Sequence, residues 1–149
     1  MVTYRERLSP PLWLWLAAGM TAPQLGLTVG AARGPVAAAV AVIGLGTAMG
    51  IVLRRSAAVV EVRDDELVAG AAHIPANLLG PVEVLDDVRA RAVRGPESDP
   101  AAFHLIRGWI SAGVRATVLD PGDPTPYWFV ASRHPARLAA AIEAARATR

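Results

Sequence analysis

The chain has 149 residues, 53% of them hydrophobic, and a mean hydropathy of +0.35, which is more apolar than one ordinary soluble domain of this length. Its fifteen basic residues are all Arg and face thirteen acids, for a net charge of +2, so the pI near 9.9 reflects the high pKa of Arg rather than a basic excess. The absence of Cys excludes a disulfide framework, a thiolate metal site and a thiol nucleophile, and the balanced charge, with no basic stripe, argues against nucleic acid as a partner.

The excess hydrophobicity lies at the front. Residues 8–32 and 34–53 contain no Asp, Glu, Lys or Arg, and only Arg33 separates them. Because a helix rises about 1.5 Å per residue, roughly 20 apolar residues cross a hydrocarbon core of about 30 Å. Both stretches therefore read as membrane spans, the first starting at Ser9-Pro10-Pro11 and running to about Val29, the second starting at Pro35. A secretory signal peptide is the competing reading of the first stretch, since Arg5 and Arg7 precede it and Val29-Gly30-Ala31 resembles a cleavage site; the second apolar run following at once favours a helical hairpin.

Arg5 and Arg7 precede the first stretch and Arg54 and Arg55 follow the second, so both termini are expected on the cytoplasmic side of a bacterial inner membrane, as a multi-pass protein. Tyr4, Trp13 and Trp15 gather at the same end, where amphipathic rings favour the headgroup layer. Thr21, Gln24 and Thr28 share one helical face, beside small residues at Gly19, Pro23, Gly26 and Gly30, and Gly46 and Gly50 form a GxxxG pair. Small residues let backbones approach, and hydroxyl or amide groups in lipid seek partners across helices. Thr21, Gln24, Thr28, Gly46 and Gly50 are thus expected to pack the hairpin on itself, or to meet a second copy or another membrane protein.

From residue 54 onward the chain is a different polymer, with twelve Arg against twelve acids. Ala58, Val60 and Val62 alternate with Glu61 and Arg63, the pattern of a half-buried strand. Residues 64–66 form a turn, residues 67–72 return as a second strand, and Pro75 ends that pairing. Residues 82–85 read as a third strand, 87–94 as a short helix or loop, 95–100 as punctuation and 103–110 as another strand. Residues 113–119 and 127–132 form a hairpin around the Pro-rich 120–126. From Pro135 onward Leu138, Ala141, Ile142 and Ala145 recur at helical spacing, and Arg146 and Arg149 suit the helix dipole at its end. The expected division is a cytoplasmic N-terminal segment (residues 1–9), a two-helix transmembrane hairpin (10–53) and a cytoplasmic, mainly β domain closed by a C-terminal helix (54–149).

Several blocks carry a family resemblance: Tyr4-Arg5-Glu6-Arg7-Leu8 at the front; Asp99-Pro100 with Phe103, Arg107 and Trp109; Asp123-Pro124-Thr125-Pro126-Tyr127-Trp128; and Ser132-Arg133-His134-Pro135 with Leu138. In these the chain resembles small two-span actinobacterial membrane proteins grouped as a domain of unknown function and similar to bacterial membrane proteins with a pleckstrin-homology-like domain. The all-Arg, Ala-rich composition agrees with such a GC-rich source. The resemblance implies a barrel-like β domain with its C-terminal helix plugging one open end, and a membrane location; it implies no activity. Gly108 stands before Trp109 where the family pattern has Pro.

No motif for chemistry emerges. His73, His104 and His134 lack metal-ligand spacing, and Ser132 near His134 reads as a helix cap. The carboxylates sit in turns and strand ends. Gly44-Leu45-Gly46 with Gly50 has the wrong spacing for a dinucleotide loop, so no cofactor is expected. Arg107, Trp109, Arg115, Asp123, Tyr127 and Trp128 stand out as a candidate recognition patch, with Arg as the anion contact and one exposed ring, since neighbouring strand residues point to opposite faces. The expected function is a non-catalytic, membrane-anchored interaction or scaffold module, with the bilayer, a membrane or cytoplasmic protein, or a second copy as partners. An anionic-lipid headgroup binder, or an unrecognised membrane enzyme, is the alternative.

Overall fold

A computed structural model describes residues 2–147, which divide into a helical unit, Ser9–Ala57, and a β unit formed by the rest of the chain. Arg149 lies outside the described residues.

Alternation builds the first sheet of the β unit. In strand β2 (Ala58–Arg63) Ala58, Val60 and Val62 are buried while the residues between them are not. The chain returns through Asp64 and Asp65, both at positive φ (47° and 63°), into β3 (Glu66–Ala69), with Arg63 and Glu66 as register partners. A two-residue hairpin loop takes left-handed backbone at both positions because its twist then matches the strands, and Asp tolerates that region better than most side chains. Strand β4 (Ala72–Pro75) pairs with β3 and lies at the sheet edge, where Pro75 costs no ladder bond.

The other edge is a strand the sequence reading did not include. Val2–Leu8 forms β1, antiparallel to β2, with Glu6 opposite Val60 and Leu8 opposite Ala58. Of the expected N-terminal segment, residues 1–9, Val2–Leu8 thus forms part of the β unit.

The second sheet comprises β5 (Leu79–Leu85), β6 (Phe103–Leu105), β7 (Gly113–Val118) and β8 (Tyr127–Ala131) in the spatial order β5-β7-β8-β6, with β6 parallel to β8. The strand expected over residues 103–110 is only three residues long. Helix α1 (Leu12–Arg33) and helix α2 (Pro35–Arg55) make up the helical unit; helix α3 (Asp87–Arg94) follows β5 and is capped by Asp86, whose Oδ1 accepts from the Val88 and Arg89 N–H groups at 3.1 and 2.8 Å. Helix α4 (Pro135–Ala147) buries Leu138, Ala139, Ala141 and Ile142 and packs on strands of both sheets.

Two expectations of fold class are corrected here. The β unit is two separate four-stranded sheets rather than a pleckstrin-homology-like barrel plugged by a helix: Pro75 ends β4 and a 3-10 turn at Ala76–Leu78 interrupts the ladder before β5. The two-span membrane hairpin is also overturned, because among the described residues only α2 is long and apolar enough to cross a membrane, with a mean hydropathy of 2.4. Helix α1 falls short because Trp13, Trp15, Thr21, Pro23, Gln24 and Thr28 dilute its apolar residues.

Within the helical unit the contact is made by small side chains. Gly34, at φ 90°, turns the chain between the helices, and its N–H donates to Gly30 O at 2.8 Å. Ala22 and Gly26 are the buried residues of α1. A Cβ at Gly26 would collide with Val42, and one at Gly30 would stand 2.8 Å from the Ala38 Cβ. Most large side chains of both helices face outward, Met20 and Val36 being 76% and 77% exposed.

Candidate functional site

Of the expected recognition patch the two β8 rings are enclosed, and Arg107, Trp109, Arg115 and Asp123 are half-buried. Tyr127 and Trp128 are both buried, as is every residue of β8, because β8 is an interior strand covered on both faces. The expectation of one exposed ring is corrected accordingly. The Trp128 ring lies 4.2 Å from that of Phe103, its partner in the parallel ladder. On the opposite face the Arg115 guanidinium stacks 4.3 Å over the Tyr127 ring, and the Tyr127 hydroxyl accepts from the Asp99 N–H at 3.0 Å. Asp123 closes its own loop by accepting from the Thr125 N–H at 2.9 Å, and the Thr125 side chain, followed by that N–H, holds its carboxyl below the ordinary value. Arg107 donates to the Ile106 carbonyl, while its Nε and the Trp109 indole nitrogen are buried without a partner among the described residues. Arg115 and Tyr127 are thus brought together; the polar contacts of Arg107 and Asp123 lie elsewhere, and the Trp109 indole nitrogen makes none among the described residues.

The expected helix-packing residues divide likewise. The Thr21 and Thr28 hydroxyls donate to carbonyls of their own helix, at Ala17 and Gln24, rather than across the hairpin. Gln24 is exposed. Gly46 faces Ala22 at ordinary contact distance, and Gly50 meets nothing. The closest approaches of the seam are at Gly26 and Gly30.

A more organised polar cluster lies where β1 meets the start of α4. Tyr4, Glu6 and Leu8 alternate inward on β1, and the Glu6 side chain is only 9% exposed. Its Oε2 accepts from the Tyr4 hydroxyl and from Ser132 Oγ, each at 2.6 Å, and its Oε1 accepts from the Arg133 N–H at 2.9 Å. Ser132, fully buried, also accepts from the His134 N–H at 3.0 Å, which satisfies the backbone just before α4. The Arg133 guanidinium donates to the Arg7 carbonyl at 3.2 Å.

This network sets two protonation equilibria. Burial alone would push the Glu6 carboxyl up, but the bonds from Ser132, Tyr4 and the Arg133 N–H, with His134 nearby, outweigh it and hold the group below its ordinary value. Tyr4 is pushed up to about 12, by burial first and then by its bond to the Glu6 carboxylate, which favours the protonated phenol.

Ser, His and Glu side chains adjoin here, so nucleophilic catalysis needs testing. Ser132 gives its proton to Glu6, not to His134, and no face of it meets solvent; His134 Nδ1 is 4.0 Å from Glu6 Oε1. A triad requires the base on the nucleophile's hydrogen and the nucleophile open to substrate. Neither holds, and the cluster serves to lock β1 to α4. Of the other histidines, His104 is held between Ala102 O and Ser98 Oγ, and His73 is exposed on β4. Among the described residues no three His, Cys, Asp or Glu side chains are grouped to hold a metal.

An open cleft of about 780 Å³ adjoins the network, lined on the β1 side by Arg5, Glu6 and Arg7 and on the α4 side by His134, Arg137 and Ala140. The two sequence blocks that meet there, residues 4–8 and 132–135, were legible as family-like; their contact across more than 120 residues was not.

No curated protein and no solved structure matches the chain. Residues 3–142 match the family model described as a protein of unknown function, DUF3093, and the chain belongs to that family.

Proposed function

We propose that this protein is a non-catalytic interaction module anchored at the cytoplasmic face of the bacterial inner membrane. The observation that carries the reading is the helical unit: it is inserted between Leu8 and Ala58, which are register partners in the β1–β2 ladder, and it buries only small residues while its large apolar side chains face outward. In water each such side chain forgoes roughly 1.5–3 kcal/mol of burial, whereas in lipid it forgoes little. Helix α2 has the apolar composition to anchor the chain; because β1 and β2, before and after the helices, pair in one sheet, the helical unit enters the bilayer from one side, and Arg54 and Arg55 at its end, with Arg5 and Arg7 on β1, favour the cytoplasmic side for the β unit. Because Ser132 is sealed and spent on Glu6, the most enzyme-like group of side chains supports a scaffold rather than a reaction.

Fractionation of cells with alkaline carbonate tests the anchor. The chain is expected to stay in the pellet, and a Cys placed at Glu83 to react with an impermeant maleimide only after the membrane is opened. Release by carbonate would remove the anchor, and labelling in intact cells would reverse the side.

A further inference from the structure

Resting on the reading of the β unit as a recognition module, we propose that the cleft between β1 and α4 binds an anionic phosphoryl group attached to a small apolar body, with Arg7 and Arg137 as its contacts. The cleft, at about 780 Å³, falls within the range of small-ligand sites. Its charge is unbalanced. Arg5, Arg7 and Arg137 line it with His134, and the carboxylate among the lining residues, Glu6, is turned into the network with both oxygens occupied.

Arg5 reaches Glu61 at 3.9 Å, but Arg7 and Arg137 have no ion-pair partner among the described residues. Guanidinium groups brought into one concave site repel each other until an oxyanion with several acceptor oxygens sits between them, and the planar fork of Arg matches a phosphoryl group. The remaining wall is Ala140, Ala141 and Ala144 of α4, whose small apolar side chains leave room for a glycerol or short alkyl portion. The two walls are also fixed to each other: the bonds from Ser132 and the Arg133 N–H to Glu6 tie the strand carrying Arg7 to the segment that starts the helix carrying Arg137.

A membrane phospholipid and a soluble phosphoester share this chemistry, and calorimetric titration of the full chain in neutral maltoside micelles separates them. The probes are glycerol 3-phosphate and dihexanoylphosphatidylglycerol, with zwitterionic dihexanoylphosphatidylcholine as the control. Saturable binding of either anionic probe is expected, weakened at least tenfold by Arg7→Gln and by Arg137→Gln. Ala140→Glu, an exposed substitution that puts a negative charge at the cleft wall, should abolish it even where an Arg variant folds poorly. Binding of the lipid alone identifies a headgroup, and binding of glycerol 3-phosphate, with or without the lipid, identifies a phosphoester site that needs no acyl chain. The proposal is overturned if neither anionic probe saturates, if phosphatidylcholine binds equally well, or if Ala140→Glu and the folded Arg variants keep the original affinity. Since the titration is done in detergent, it stands apart from the carbonate test: a chain released by carbonate that still binds the anion loses its anchor and keeps its cleft.

Discussion

The two units of this chain bury opposite kinds of residue. The β unit encloses Phe129, Leu67, Leu85, Leu138, Ile142 and Val130, each essentially without exposure, and leaves most of its charged side chains, Glu6 excepted, outside. The helical unit encloses Ala22 and Gly26 and leaves Leu12, Met20, Leu27, Val36 and Ile43 outside. One pattern drives apolar area inward, as water dictates, and the other leaves large apolar side chains outside and packs by close approach of the helix backbones. The same amino-acid types therefore carry different weight in the two halves, and substitutions should expose the difference.

The largest effects belong in the β unit. Trp128→Ala and Tyr127→Ala each remove a buried ring from β8, and each is expected to cost on the order of 3–5 kcal/mol, enough to unfold a domain of ordinary stability. Urea unfolding followed by circular dichroism of the full chain in detergent measures both. A variant at either position that kept its midpoint would mean that its face of β8 is not core, and the contrast between the units would narrow.

In the helical unit the sensitive positions are glycines. Gly26→Leu should separate the hairpin at a cost of about 1–3 kcal/mol, since Val42 and the Ala38 carbonyl already fill the space, whereas Gly50→Leu should leave the hairpin unchanged. Crosslinking between Cys residues introduced at Ala22 and Gly46, which face each other, reads this directly. Loss of the crosslink in the Gly50 variant would restore the GxxxG pair as the seam.

These contrasts show what was legible in the sequence. The alternation of β2, the hairpin turn after Arg63 (expected over residues 64–66, found at Asp64-Asp65 with Glu66 already in β3), the register of Leu138, Ala141 and Ile142, and the apolar character of residues 35–55 are local signals that appear in the structure. Residues 2–8 were not legible as a strand because Arg5 and Arg7 read as membrane flanks, and their pairing partner lies beyond the whole helical unit. Tyr127 and Trp128 escaped for a related reason: alternation assigns opposite faces but does not say that both faces are covered, which depends on β6 and on the Asp99 turn arriving from elsewhere. Of the GxxxG pair Gly46 faces Ala22 and Gly50 meets nothing, because spacing on one helix does not show where along it the other helix approaches.

The Glu6 network sharpens the comparison from inside the β unit, since it is a buried polar group in a half that otherwise encloses hydrocarbon. Glu6→Gln keeps the shape but gives up charge-assisted bonds from Ser132, Tyr4 and the Arg133 N–H, at an expected cost of about 1–3 kcal/mol. Its pH dependence has a definite sign. A carboxyl held below its ordinary value contributes stability that is fully present above the unfolded value, near 4.5, and is lost as pH falls through the lowered folded value. The difference in midpoint between the original chain and Glu6→Gln should therefore be constant above pH 5.5 and shrink toward acid. A difference that grew toward acid would mean that the carboxyl is raised rather than lowered.

The smallest effect expected is that of Tyr4→Phe, and it isolates one bond of the network. The ring stays, the hydroxyl goes, and Glu6 Oε2 keeps its bond from Ser132, so the cost should be about 1 kcal/mol, the usual net worth of one hydrogen bond. The alkaline side carries its own sign. With the phenol pushed up to about 12, the stability tied to its protonated form is fully present below its ordinary value of 10.0 and is lost as pH rises from there through about 12. Thermal midpoints measured from pH 8 to 11 should thus fall more steeply above pH 10 for the original chain than for Tyr4→Phe, so that the two converge. Parallel curves would show that Tyr4 titrates alike in the folded and unfolded chains, and the hydroxyl would then be a bystander to the carboxylate that joins the two ends of the β unit.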